Sequence, residues 1–183
     1  MTPPRKVSRL RGALPFWLSL GTIPLALIES MLGGWTLVLL PLYGWGLVTA
    51  LDALLGLNRE NPATDTPDGD LFWYRAITVL WFPIQFATIY GMIWWTGHGS
   101  TLGPYETIAL FFGISVMSGT VGIVYAHELM HQKPAWERWL ADLLLATVLY
   151  SHFRTEHLLV HHRHVGTPRD AVTAKYNEGF HRF

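Results

Sequence analysis

YETIALFFGISVMSGTVGIVYAHELMH, residues 105–131, decides the fold of this chain. The part from 105 to 125 carries a single charge, at Glu106. It is long enough to cross a hydrocarbon core, which takes about 20 mostly apolar residues in a helix. The run then passes without a proline or a polar loop into His127-Glu128-Leu129-Met130-His131. A membrane helix is therefore expected to continue into a box of metal-competent side chains at its end.

Working outward, three more stretches qualify as spans: 14–32, 35–55 and 71–95. Gly33-Gly34 joins the first two as a tight turn, and the glycine-rich segment 96–103, with His98 as a solvated loop residue, joins the last two. Between the second and third lies 58–70, a loop by its Pro62, Pro67 and clustered Asp residues. Lys and Arg are absent from 12–58 and from 76–132. Arg5, Lys6, Arg9 and Arg11 precede the first span, Arg59 lies in the middle loop, Arg75 opens the third span, and seven more follow His131. Cationic loops stay cytoplasmic, so both termini, the middle loop and the histidines are placed on the cytoplasmic side. The basic start before an apolar run superficially resembles a signal peptide. No convincing small-residue cleavage site follows, and a second span comes at once, so it reads as a retained helix.

The composition agrees with a membrane protein. Half of the 183 residues are hydrophobic and only 14% are charged, against about 25% charged in soluble proteins. A formal net charge of zero gives nucleic acid nothing to bind. There is no cysteine, which removes disulfides, iron–sulfur clusters and thiolate ligands. Polar residues within the spans are Glu29, Asp52, Gln85 and Glu106. All but Gln85 lie near span ends, where an interfacial position is the ordinary reading and an intramembrane functional group the sharper one.

Nine histidines occur, seven of them between His127 and His164. In the first box His127 and His131 are four apart, so both rings lie on one face of a helix. Alone, this pentapeptide also fits the H-E-x-x-H zinc protease pattern with Glu128 as base. The second box, EHLLVHH (156–162), repeats the four-residue spacing with His157 and His161 and adds His162. Five imidazoles exceed the three or four protein ligands a zinc ion takes. Imidazole also suits iron, and the surplus favours a two-metal centre. His152, His164 and His181 read as ordinary polar residues. His152, Glu128 and Glu156 are candidates to orient a ligand through its second ring nitrogen. Between the boxes Pro134 suits a helix's first turn. Trp136, Trp139, Leu140, Leu143, Leu144 and Thr147 recur at helical spacing among Glu137, Arg138 and Asp142. Such a helix either lies at the membrane interface or packs as ordinary core. The expected fold class is thus an all-α integral-membrane helical bundle, with four transmembrane helices followed by an interfacial helix and a His-box helix.

The run 126–174 resembles the membrane-bound alkane 1-monooxygenase family of the histidine-box desaturase and hydroxylase superfamily. The likeness is carried by AHELMH (126–131), ERWLA (137–141), EHLLVHH (156–162) and TPRDAV (167–172), and reaches back to LDALLG (51–56) and Asn61-Pro62. The resemblance implies a non-haem centre of two irons in the inner (cytoplasmic) membrane of a bacterium. It implies terminal hydroxylation of medium-chain alkanes with O2 and with electrons from rubredoxin. By motif match, His127, His131, His157, His161 and His162 take the ligand and catalytic role. An apolar channel among the spans would admit the alkane from membrane lipid. Fatty acyl or alkyl-aromatic substrates are the alternative within the superfamily. A zinc protease and an inactive metal-binding remnant are the alternatives outside it.

Two positions depart from the family pattern: Met130 stands where glycine is frequent, and His164 where aspartate is common. The family's third histidine box follows two further spans, and neither precedes Phe183. Residues 1–183 are therefore expected to be the N-terminal part of a single oxygenase domain, holding about half of the ligand set and inactive alone.

Overall fold

The structure is a computed structural model that describes residues 9–56 and 66–183. Arg5, Lys6, Arg59 and Asn61-Pro62 lie outside the described residues. All regular structure among the described residues is helical. Four helices are long and apolar enough to cross a membrane: α1 (Leu10–Leu32), α2 (Gly34–Leu55), α3 (Gly69–His98) and α4 (Pro104–Met130). They are followed by α5 (Ala135–Ala146) and by α6, a composite helix over 153–164. The chain is a multi-pass membrane protein. Lipid-facing side chains such as Leu32, Trp35, Leu54 and Trp94 are exposed, as expected where lipid replaces water as the solvent.

The four spans fall where hydropathy put them, and three of them, α1, α3 and α4, run several residues past their apolar cores. α3 continues through His98, whose ring stacks on Trp94 with centroids 5.2 Å apart and whose Nδ1 lies 2.9 Å from the Trp94 carbonyl. His98 is thus a helix-end residue, and only Gly99–Gly103 remain as the turn. α4 continues through the first histidine box, as expected. The α1–α2 turn needs its glycines, since Gly33 and Gly34 have φ of +59° and +56°. Glu106 anchors this turn to α4. One of its oxygens accepts the Gly34 N–H at 2.8 Å, the other the Gly103 N–H at 2.9 Å.

Glu29 departs from the interfacial reading. It is wholly buried, and its Oε1 accepts the Leu40 N–H at 2.7 Å. The reason is geometric: the tight turn folds α2 back over the last turn of α1. Asp52 is exposed near the end of α2, as an interfacial residue would be.

The core lies where α3, α4 and α5 meet. Ile77, Trp81, Leu110, Met117, Leu129, Leu144 and Leu145 are buried there. A polar strut crosses it. The Gln85 carbonyl oxygen accepts from Trp81 Nε1–H at 2.9 Å, and the Gln85 amide donates to Thr147 Oγ1 at 2.8 Å. Gly122, in a π-helical turn of α4 (Ser118–Gly122), makes room for it. A Cβ on Gly122 would sit 2.1 Å from Gln85 Oε1. Gly122→Ala is therefore expected to cost about 2 kcal/mol, combining overpacking with a broken buried hydrogen bond. Thermal unfolding in detergent measures this, and the double variant Gly122→Ala/Gln85→Ala should recover part of the loss.

Two ion pairs position the segments after α4. Arg75 on α3 is paired with the buried Glu137 on α5. Arg154 at the start of α6 holds Asp142 on α5 with both ends of its guanidinium, at 2.6 and 2.7 Å. Pro134 stands one residue ahead of α5, in extended conformation, rather than in its first turn. Trp136 and Trp139 are exposed on α5, while Ala141, Leu144 and Leu145 are buried against the core. The helix thus packs on one face and presents tryptophans on the other.

Candidate metal centre

The first box occupies the last turn of α4, and the His127 and His131 rings stand edge to face with centroids 4.8 Å apart. The turn between α5 and α6, braced by Arg154 and Asp142, lays the second box against them. His157 is the hub. Its Nε2 lies 2.9 Å from His127 Nε2, 3.0 Å from His162 Nε2 and 3.3 Å from His131 Nε2.

The second box differs from a regular α-helix. Residues Glu156–His161 form a π-helical turn, which has more residues per turn than an α-helix. The partner brought beside His157 is therefore His162, five residues on, rather than His161. The His161 ring stacks parallel to His157 at 5.5 Å, and its Nδ1 lies 2.8 Å from a carboxylate oxygen of Asp170. Four of the five expected histidines converge directly, and the fifth stands beside them.

The donor set fits a metal cation. A neutral imidazole nitrogen either donates one hydrogen bond or accepts one. His157 Nε2 can satisfy one neighbour well, yet three face it at contact distance. A cation among the lone pairs of His127, His131 and His157 would satisfy these three. Nitrogens about 2.0–2.1 Å from a zinc ion lie about 2.9 Å apart in an octahedron and about 3.4 Å apart in a tetrahedron. The three separations from His157 Nε2, 2.9 to 3.3 Å, lie within that interval. Nε2 or Nδ1 atoms of His127, His131 and His157 all lie within 4.8 Å of one another.

The electrostatics favour the unprotonated form of two of these rings, His157 and His131. Burial, and then the positive charge that neighbouring imidazoles would carry, push His157 down to about 4. Burial followed by His127 and His162 also lowers His131. Unprotonated imidazoles are the form that binds metal.

Glu128 is poorly placed to act on anything held by this cluster. It is exposed, and its carboxylate lies 3.8 Å from Nδ1 of His127, the nitrogen opposite the converging Nε2. His152 packs its ring edge against Tyr150. The carboxylate that grips a histidine is instead Asp170. It sits inside TPRDAV, where the sequence offered no spacing rule to single it out.

An apolar hollow of about 560 Å³ lies elsewhere, between α1 and α3 toward the Gly33 and Gly99 turns. Ile23, Leu27, Ile84, Met92 and Trp95 are among its lining residues. Its lining carries no titratable side chain.

A membrane bundle whose fourth span ends in a converging set of imidazoles defines a histidine-box membrane protein. Residues 104–183 match the family described as fatty acid desaturase. The alkane 1-monooxygenase of Pseudomonas putida is 34% identical over 141 residues, covering 76% of this chain and 35% of that protein. Alkane 1-monooxygenase 1 of Alcanivorax borkumensis is 34% identical over 142 residues, covering 76% and 34%. The alkane 1-monooxygenase of Ectopseudomonas oleovorans is 33% identical over 154 residues, covering 82% and 38%. Residues 104–183 thus match the fatty acid desaturase family, and the chain is similar to the alkane 1-monooxygenases. It spans about a third of the length of the curated relatives it matches.

Proposed function

We propose that these four spans and two boxes form one part of a non-haem di-iron monooxygenase domain that hydroxylates the terminal carbon of medium-chain alkanes. The oxidant is O2, the electron donor a rubredoxin-type protein, and the setting a bacterial inner membrane with both boxes on the cytoplasmic side. The observation that carries this reading is the meeting of four imidazoles on His157 Nε2 at the end of an apolar span. His127, His131, His157 and His162, with His161 beside them, would hold the iron. Bound iron supplies the redox chemistry that activates O2.

The chain's own residues supply placement. A terminal methyl group has no polar handle, so it is oriented by shape and by exclusion of water. Trp81, Met117, Tyr125, Leu129 and Met130 are buried beside α4 and give the bundle an apolar interior next to the first box. The Gln85–Thr147 and Arg75–Glu137 links hold α5 and the residue that follows it, and through them the second box, against α3. The exposed Glu128, on the far side of His127, favours this reading over a zinc protease.

The test is to place residues 104–183 in the Pseudomonas putida relative, in exchange for its matching segment, and assay O2-dependent conversion of octane to 1-octanol. Turnover is expected, with two irons per chain. A correctly inserted chimera that binds a single zinc, or binds iron without oxidising octane, would overturn the proposal.

A further inference from the structure

We propose that Asp170 is a positioning residue for the metal centre, holding the Nδ1–H of His161 so that Nε2 of that ring stays a bare lone pair for a metal ion. The inference rests on the reading of the histidines as metal ligands. It adds a carboxylate that the box spacing does not mark.

Asp170 is only 4% exposed. Its carboxylate takes three donors: His161 Nδ1–H at 2.8 Å, the Val172 N–H at 3.2 Å, and the Thr173 hydroxyl. An ionised carboxylate only accepts. The proton of a neutral His161 must therefore sit on Nδ1, and the lone pair on Nε2. Ligating histidines are commonly fixed in this way by a carboxylate.

The loop that delivers Asp170 is tied from several sides. Gly166, with φ of +78°, reverses the chain after α6. Its N–H donates to Thr173 Oγ1 at 3.0 Å, and Thr167 Oγ1–H donates to the His164 carbonyl at 2.6 Å. The Asp170 N–H closes a turn on the Thr167 carbonyl at 3.1 Å. These bonds bring the carboxylate back to a ring nine residues earlier in the chain. A loop needing only its own turn would be complete with Val172 and Thr173. Burial of the charge against His161 ties that turn to the second box.

Asp170→Asn discriminates the two roles. The amide keeps the volume; its carbonyl oxygen, in the place of Oδ1, can still accept from Val172, while its NH2, in the place of Oδ2, can donate to the Thr173 hydroxyl. Its NH2 then faces Nδ1 of His161 and favours the opposite tautomer, with the proton on Nε2. In the full chain, purified in detergent with 15N-labelled histidine, the His161 resonances are expected to change from the Nδ1–H to the Nε2–H pattern without added metal. Co2+ used as a spectroscopic probe should bind about 10–100-fold more weakly, with little change in the unfolding temperature. Asp170→Glu should restore part of the affinity. The proposal is overturned if Asp170→Asn leaves both tautomer and Co2+ affinity unchanged. It is equally overturned if Asp170→Asn and Asp170→Ala lower only the unfolding temperature. A wild-type chain that takes up no Co2+ would instead defeat the metal reading, and the tautomer measurement would still decide whether Asp170 governs His161.

Discussion

His157→Ala is expected to eliminate metal retention, with more than a 100-fold loss of affinity in a Co2+ titration and no metal left after desalting. The other three converging histidines each approach His157 Nε2 to within 3.3 Å or less. Removing that ring takes away a donor and also the element that joins the first box to the second. A substitution beside a ligand typically costs 10–100-fold, and removal of the shared ligand should cost more. His152→Ala and His181→Ala serve as controls, since both residues are exposed and neither contacts the cluster in the described structure. Undiminished metal content in His157→Ala would mean that the convergence of these rings is not a metal site.

Arg75→Met is expected to destabilise the folded protein by about 3 kcal/mol. Glu137 is 1% exposed, and of its two oxygens only Oε1 has a hydrogen-bonding partner, Arg75, among the described residues. Breaking a buried pair by removing one member costs about 3–5 kcal/mol, because the remaining charge stays in a poor solvent. Arg75 is itself 27% exposed, which places the expectation at the low end. The double variant Arg75→Met/Glu137→Leu should recover most of the loss, since an apolar pair of similar volume can replace an ion pair. Unfolding by heat or denaturant in detergent reads both. Losses that simply add in the double variant would show that the pair is not the source of the effect. The defect should also weaken metal binding, because α5 carries Asp142 and therefore Arg154 and the second box.

The four spans were readable because crossing a membrane leaves a mark in composition alone, and the observed helices extend those windows by a few residues. The first box was equally readable: its four-residue spacing is a property of a regular helix, and α4 is regular from Ile123 to Met130. The second box was read with the same rule, and there the rule fails locally. A π-helical turn depends on how the backbone settles against its neighbours, and it exchanges His161 for His162 beside His157. Glu29, Gln85 and Asp170 were obscure for a different reason. Their partners are the Leu40 N–H, Thr147 and His161, and only the fold brings these near. Asp170 lay inside a quoted motif, but a motif names residues without saying which one turns toward the histidines.

The turn between α5 and α6 has a consequence for assembly. His127 and His157 meet across a separation of 30 residues, so the chain closes a short loop to bring them together. The entropic cost of closure grows only slowly with loop length, and here most of the loop is itself helical. The contact between the boxes is therefore a local event. It can form as soon as residue 164 has left the ribosome, whatever is synthesised afterwards. In the course of biogenesis the converging nitrogens would be in place before the loop that carries Asp170 has been laid against them.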